Sequence, residues 1–98
     1  MTTTIERLAE AGIQLLPAVE LSTHYVFERD GFVALVERKG EGFGGIGAPG
    51  LLTDHGVAML IWRGERAFFV SKGHEREASS VEVGALRSFG ADLARALG

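Results

Sequence analysis

The stretch from Leu21 to Arg38, LSTHYVFERDGFVALVER, decides the fold. Two runs rich in β-branched and aromatic residues flank Asp30-Gly31, a dipeptide that favours a type I′ turn because both positions require a positive φ. We therefore predict a hairpin over residues 19–38, with opposing residue numbers that sum to 61. Its core face would carry Tyr25, Phe27, Phe32, Ala34 and Val36, and its other face His24, Val26, Glu28, Val33, Leu35 and Glu37.

A second hairpin is predicted over residues 57–72, where VAMLIWR and RAFFVSK flank Gly64-Glu65. A glycine at the first turn position suits a type II′ turn, and opposing residue numbers then sum to 129. One face holds Val57, Met59, Ile61, Phe68 and Val70, and the other holds Ala58, Leu60, Trp62, Ala67 and Phe69. Both faces are apolar, so both need a cover: the C-terminal helix for one, and the N-terminal helix, a partner subunit or both for the other. Trp62 is expected to be packed in the core.

Helices are predicted at both ends of the chain. Residues 1–12 should form a short helix, since Thr3 and Glu6 have the spacing of a capping box and Gly12 suits a left-handed C-cap. Its apolar face would consist of Ile5, Leu8 and Ala9. An extended connector over residues 15–18 would lead from this helix into the first strand, because Pro17 favours extended geometry before it.

The second helix is predicted over residues 79–97, where Ser79 and Glu82 again have capping-box spacing. Its apolar face is formed by Val83, Leu86, Phe89, Leu93 and Leu97. Together these elements predict one α+β domain over residues 1–98. Its antiparallel sheet would be a four-stranded meander of two consecutive β-hairpins, with the short N-terminal helix and the longer C-terminal helix packed on it.

The glycine-rich segment 40–50, GEGFGGIGAPG, lies within a predicted irregular connection over residues 39–56. Gly42, Gly44 and Gly47 have the G-x-G-x-x-G spacing of dinucleotide-binding loops. That motif must open a helix, whereas a β-hairpin follows here, so a phosphate site is disfavoured. A flap over a small-molecule site, or an arm exchanged between subunits, are alternatives, because long loops in small domains are often functional.

Two histidine pairs are candidates for catalysis or metal binding. His24 lies opposite Glu37 in the predicted register, as a general base with its orienting carboxylate would, but such a pair is more often an ordinary cross-strand polar pair. His74-Glu75 resembles the start of the H-E-x-x-H zinc motif, but Ala78 occupies the position of the second histidine. No catalytic, cofactor-binding or metal-binding residue is assigned on this basis.

Other polar residues carry weaker signals. Asp54 and His55 are further candidate metal donors. The basic residues around the second turn are Arg63, Arg66, Lys72 and Arg76. They could form a small anion-binding rim, but a charged hairpin end that keeps the edge soluble is the preferred interpretation.

Composition limits the partners and the location. The net charge is −3 and the basic residues are scattered, which disfavours nucleic-acid binding. Cysteine is absent, which removes disulfides, thiolate zinc sites and cysteine nucleophiles. No apolar run approaches the ~18 residues that span a bilayer, and the N-terminus lacks a basic leader, so we expect a cytoplasmic protein without membrane contacts.

These observations favour a small, non-catalytic interaction module that self-associates. The doubly apolar second hairpin is the main reason, and we expect a homodimer, with a further protein partner as an extension of the same idea. A small-molecule binding domain with segment 40–50 as a flap is the first alternative. A small enzyme that uses His24/Glu37 or His74/Glu75 is the second.

Overall fold

The computed structural model describes residues 3–16, 23–40, 42–54 and 56–98. In chain order the elements are α1 (Thr4–Glu10), β1 (Gln14–Leu16), β2 (His24–Arg29), β3 (Phe32–Lys39), β4 (Gly42–Ile46), β5 (Gly50–Thr53), β6 (Gly56–Arg63), β7 (Arg66–Ser71), β8 (His74–Glu77) and α2 (Ser80–Leu97). The strands form one antiparallel sheet in the order β1-β2-β3-β5-β6-β7-β8, and β4 pairs with β3 beside β5. The α+β class is confirmed, and the sheet is wider than a four-stranded meander.

Both hairpins form in the predicted registers. Strands β2 and β3 pair at residue numbers that sum to 61, and Asp30 and Gly31 have φ values of 53° and 88°, as a type I′ turn requires. In the second hairpin Met59 lies opposite Val70, and Gly64 has a positive φ of 67°. The turn residues therefore determine the register of four central strands.

The connection over residues 39–56 is not irregular as predicted, because it contains β4 and β5. Both strands pair with β3, and between them the Gly47 N–H donates to the Leu35 carbonyl at 2.8 Å. Gly50 lies so close to β6 that a Cβ atom there would stand 2.6 Å from Val57 Cγ1 and 2.7 Å from the Ala58 carbonyl oxygen. Close approach of the strands explains a glycine at this position better than a need for flexibility.

Two further strands extend the sheet at its margins. Strand β1 pairs with β2 and includes part of the predicted connector, whose remainder falls outside the described residues. Strand β8 pairs with β7 and has the sequence HERE, with all four residues exposed. A charged margin of this kind discourages pairing with strands from other molecules.

The core lies between the inner face of the sheet, defined as the face that contacts α2, and α2 itself. Phe27, Phe32, Ala34 and Val36 of the first hairpin are buried as predicted, and Tyr25 is half-buried. From α2 the buried side chains are Val83, Leu86, Phe89, Leu93 and Ala96, while Leu97 is half-buried against the same cluster. The prediction for Trp62 is wrong: it is 50% exposed, and the Arg87 guanidinium lies 5.7 Å from its ring.

Capping interactions define the helix starts. The Ser79 hydroxyl accepts from the Glu82 N–H at 3.1 Å, and the Glu82 carboxylate accepts from the Ser79 N–H at 3.0 Å, which completes the predicted capping box. In α1 the Thr3 hydroxyl accepts from the Glu6 N–H at 3.1 Å. The residue after the C-cap of α1, Gly12, has a φ of 75°.

Helix α1 is fixed at one end of the core and leaves most of the sheet uncovered. It buries only Leu8, and Ile5 is 79% exposed, which contradicts the predicted packing of Ile5. Arg7 Nε donates to the Ala96 carbonyl at 3.0 Å and so joins α1 to the end of α2. Arg29 donates through Nη1 to the Ala11 carbonyl at 2.9 Å and to Asp92 at 2.8 Å. These contacts hold α1, β2 and α2 together.

Candidate functional site

The most conspicuous surface is the outer face of the sheet, which points away from α2. Strand alternation and the observed register place ten apolar side chains there: Leu16, Val26, Val33, Leu35, Leu52, Val57, Met59, Ile61, Phe68 and Val70. Five of them, Leu35, Leu52, Val57, Met59 and Ile61, are exposed by 39–49%. Within the described part of the chain, no helix covers this face.

The outer face is not flat. A groove of 430 Å³ crosses it, and its walls include Leu16, Val26, Leu35, Leu52 and Met59. Val33 forms part of its floor and is only 4% exposed. The face therefore offers both a continuous apolar surface and a depression into which a partner side chain could insert.

Polar residues surround the apolar centre at the end near β1. Gln14 donates to the Glu28 carboxylate at 2.7 Å across β1 and β2. His24 and Glu37 occupy the next positions of the same face and lie opposite each other in the register, as predicted. No charged residue stands among the five exposed apolar side chains at the centre. An apolar centre with a polar rim is the usual anatomy of a protein interface.

Ion pairs form the rim at the opposite margin. Arg63 pairs with Glu75, and Arg66 Nε donates to Glu77 at 2.6 Å. Hydrogen bonds from these arginines lower the pKa of both carboxyl groups. Both pairs are exposed, so they contribute little to stability and mainly fix the charge pattern of the margin.

Arg76, a third basic residue near the second turn, also pairs with a carboxylate of this chain. It binds the Glu82 carboxylate through two hydrogen bonds, of 3.0 and 2.7 Å. Together with the Ser79 N–H, this arginine lowers the pKa of Glu82 to about 2. Three of the four basic residues around the second turn thus bind carboxylates of this chain, which favours a charged hairpin margin over an anion-binding rim.

The two histidines in the described residues lie on different strands, His24 on β2 and His74 on β8. The His24 Nδ1 atom lies 2.8 Å from the Thr23 hydroxyl, and the Glu37 carboxylate lies over Gly44, with Oε1 3.1 Å from where a Cβ atom would be. His74 is exposed on the marginal strand β8, and its neighbour Glu75 is bound to Arg63. His55 falls outside the described residues. The candidate enzyme sites therefore gain no geometric support.

The described residues contain neither a metal-ligand cluster nor a membrane-spanning helix. Across residues 3–16, 23–40, 42–54 and 56–98, no three His, Asp or Glu side chains come together as a ligand set. Over the same ranges, neither helix combines the length and the apolar composition needed to cross a bilayer. The G-x-G-x-x-G glycines lie in and just after β4, and β5 rather than a helix follows them.

A second feature lies on the inner side of the sheet, where α1 leaves a cavity of 610 Å³. Its walls come from α1 and the segment after it, through Ile5, Leu8, Ala9, Ile13 and Leu15, and from the sheet, through Tyr25, Phe27 and Phe43. The Phe43 ring centroid lies 5.3 Å from that of Tyr25 and 6.0 Å from that of Phe27. The glycine-rich segment thus supplies one wall of this cavity through Phe43.

Sequence reasoning missed this cavity, although one signal was present. Phe43 is the one aromatic residue in segment 40–50, and an aromatic residue among glycines often has a contact to make. The outer face and the cavity lie on opposite sides of one sheet. Comparison with known protein families, with curated proteins and with solved structures gives no match for this chain.

Proposed function

We propose that this chain is a small, non-catalytic interaction module that self-associates, and that the outer face of the sheet is its contact surface. The observation that carries the proposal is the set of five large apolar side chains, each 39–49% exposed, at the centre of that face. They lie together on β3, β5 and β6, so they form a patch rather than scattered exposed residues.

The size of the patch supports this proposal. The largest contiguous apolar patch on a soluble protein is often a functional one, and here five large side chains share one patch. A standard interface buries about 800 Å² on each partner. The apolar centre and the polar rim would together supply that area.

The chemistry of the patch favours a second copy of this chain as the partner. Two copies related by a twofold axis bring the same surface into contact with itself, so any charge at the centre would meet a like charge. The centre carries no charged residue. The rim near β8 carries both signs, in Arg63 with Glu75 and Arg66 with Glu77, so it need not repel its own copy.

The test is the oligomeric state as a function of concentration, measured by sedimentation velocity. We expect the wild-type protein to dimerise at micromolar concentrations and the Val57→Glu variant to dimerise at least tenfold more weakly. A charge placed in the apolar centre would have to be desolvated in the contact. A wild-type protein that stays monomeric up to millimolar concentration would refute the proposal.

The control is Val81→Glu, which makes the same change on α2. Val81 is 79% exposed and stands in the first turn, where an acidic residue is compatible with the helix dipole. This variant should dimerise like the wild type. Equal loss of dimer in both variants would show that added negative charge, and not the outer face, is responsible.

We also propose that the protein is cytoplasmic. The absence of cysteine from the whole chain supports a reducing compartment. Fractionation of the source cells would test the location. Recovery of the protein from the extracellular fraction would contradict it.

A further inference from the structure

The apolar outer face has two halves of different shape. The groove occupies the half from β1 to β6, and four of the five exposed apolar side chains line it. Ile61 is the fifth; it is 41% exposed and does not line the groove. With its register partner Phe68, it stands beside the groove over β6 and β7. One half of the face is thus a depression, and the other half is raised.

Small residues between β3 and β6 create the depression. Gly50 of β5 pairs with Val33 on one side and with Met59 on the other, so a position without a side chain lies between two apolar residues. A Cβ atom at Gly50 would stand 3.2 Å from Met59 Sδ, which leaves no room for a side chain there. Gly47 and Ala48, just before β5, also line the groove. The depression is therefore a consequence of the strand pairing.

The shape of the face restricts how two copies can pack. A twofold axis that relates two stacked sheets lies in the plane of their contact. An axis across the strands would place groove over groove and leave a void, which well-packed contacts avoid. An axis parallel to the strands exchanges the two halves of the face, so that the raised half of each copy fills the groove of the other.

The register identifies the residues that meet. Strands β3 and β6 both pair antiparallel with β5 and therefore run in the same direction. Gly50 aligns Val33 of β3 with Met59 of β6. Two residues further along, Leu35 and Ile61 are therefore also level with each other. An axis that follows β5 exchanges β3 and β6, so it brings Ile61 of each copy opposite Leu35 of the other.

The charges beside the apolar centre agree with this arrangement. Two residues beyond Leu35 and Ile61, the same strands carry Glu37 and Arg63, and both are exposed. An axis along β5 places Arg63 of each copy opposite Glu37 of the other. The Arg63 guanidinium already binds Glu75, and its five N–H donors leave capacity for a second carboxylate. Opposite charges therefore meet at two symmetric places on the rim.

We propose that two copies of this chain pack with their twofold axis along β5, so that Ile61 of each copy inserts into the groove of the other. The inference rests on the proposed self-association and adds its geometry, because each groove is completed by a side chain of the other copy. Leu35, which is 43% exposed, forms the wall that receives Ile61, and Val33 forms the floor.

Mixing two charged variants tests this contact by sedimentation velocity. Ile61→Lys and Leu35→Glu should each dimerise about tenfold more weakly than the wild type, because each places a charge against an apolar side chain. In an equimolar mixture, opposite charges meet at one contact and the native pair remains at the other. The mixed dimer should therefore be about tenfold tighter than the dimer of either variant alone. A mixture as weak as its separate components would overturn the proposal.

The control mixture combines Ile61→Lys with Val57→Glu. Val57 also lines the groove, but it lies four residues before Ile61 on β6 and is not level with Leu35, so this mixture should stay weak. An axis across the strands at Met59 would bring Ile61 opposite Val57. Rescue in the control mixture alone would therefore overturn the proposed axis. Equal rescue in both mixtures would show general attraction between opposite charges and would also overturn it.

A distance between two spin labels checks the axis without a change in the contact. The chain has no cysteine, so Leu15→Cys carries a single nitroxide on β1, at a position that is 54% exposed and lies on the inner side of the sheet. Strand β1 lies three places from β5 in the sheet. The labels of the proposed dimer should therefore be about 35 Å apart, across six strand spacings and two stacked sheets. A separation of about 20 Å, as an axis across the strands gives, would refute the proposal.

Failure of this inference can be told apart from failure of the proposed function. A wild-type protein that stays monomeric refutes both. A wild-type dimer in which Ile61→Lys and Leu35→Glu show no mutual rescue leaves self-association in place and overturns only the assigned axis and the role of Ile61.

Discussion

The two faces of this sheet have similar side chains and different surroundings. The inner face is apolar and packs against α2, so that Phe27 is 1% exposed and Phe89 of the helix is fully buried. The outer face is also apolar, yet its five central side chains are 39–49% exposed. Alternation along a strand therefore indicates that a face is apolar, but it does not reveal what covers that face.

The largest expected difference between the faces comes from one substitution made on each side. Phe89→Ala should lower the free energy of unfolding by about 3–5 kcal/mol, because a fully buried ring leaves a cavity. Phe68→Ala, on the outer face, should cost about 1 kcal/mol in the monomer, because the ring is only half-buried. Urea unfolding at low protein concentration measures both.

Repeating that measurement at high protein concentration sharpens the comparison. If the outer face is the dimer contact, the cost of Phe68→Ala should grow with concentration, since dimerisation stabilises the wild type by mass action. The cost of Phe89→Ala should change less. A cost of Phe68→Ala that stays constant would mean that the outer face remains solvated at every concentration tested.

The second prediction concerns the strands that join the two halves of the sheet. Gly50→Ala should destabilise the protein by about 1–3 kcal/mol, because the new methyl group would overlap Val57 and the Ala58 carbonyl. The matched control is Gly45→Ala in β4, where a Cβ atom meets nothing within 4 Å. Its effect should stay within about 0.5 kcal/mol. Equal effects at the two positions would argue against the close approach of β5 and β6.

The smallest expected effect on stability concerns the start of α2, the helix that covers the inner face. The pKa of Glu82 lies near 2 in the folded protein, below its ordinary value of 4.5, because Arg76 and the Ser79 N–H bind its ionised form. Because the pKa is lowered on folding, the ionised Glu82 side chain stabilises the folded protein. This stabilisation is complete above pH 4.5 and is lost as the pH falls toward 2. The Glu82→Gln variant should be less stable than the wild type at pH 6, and the two should converge near pH 2.

Urea midpoints at the two pH values measure this effect. Glu65→Gln, in the turn between β6 and β7, is the control for the loss of one negative charge. A gap between Glu82→Gln and the wild type that persists unchanged at pH 2 would show that the cap acts through shape and not through ionisation.

Much of this fold could be read from turn and cap residues. Asp30-Gly31 and Gly64 determine their own backbone conformation, so the two hairpins and their registers follow from local chemistry. Ser79 and Glu82 likewise define the start of α2 by a local exchange of hydrogen bonds. Turn and cap conformations of this kind depend on neighbouring residues only, so they can be predicted without knowing the rest of the fold.

The remaining features depend on contacts between distant residues. Glycine has a low strand propensity, so the sequence of segment 40–50 does not predict strands. β4 forms because it pairs with β3, and β5 forms because it pairs with β3 and β6. The cavity requires that Phe43 meet Tyr25 and that α1 stand off from the sheet. Trp62 is 50% exposed beside Arg87 of α2, a neighbour that the hairpin sequence does not reveal.

The order of the strands has a consequence for how this protein folds. Apart from the step across β4, each strand pairs with a neighbour in the chain, so the sheet can grow by closing short loops. The hydrogen bond from Arg7 to Ala96 closes a loop of 89 residues, so its loop-closure entropy cost is larger than that of the hairpins. We therefore expect the sheet to assemble before α2 docks. During that interval both of its apolar faces are open to water, and the chain is then most vulnerable to aggregation.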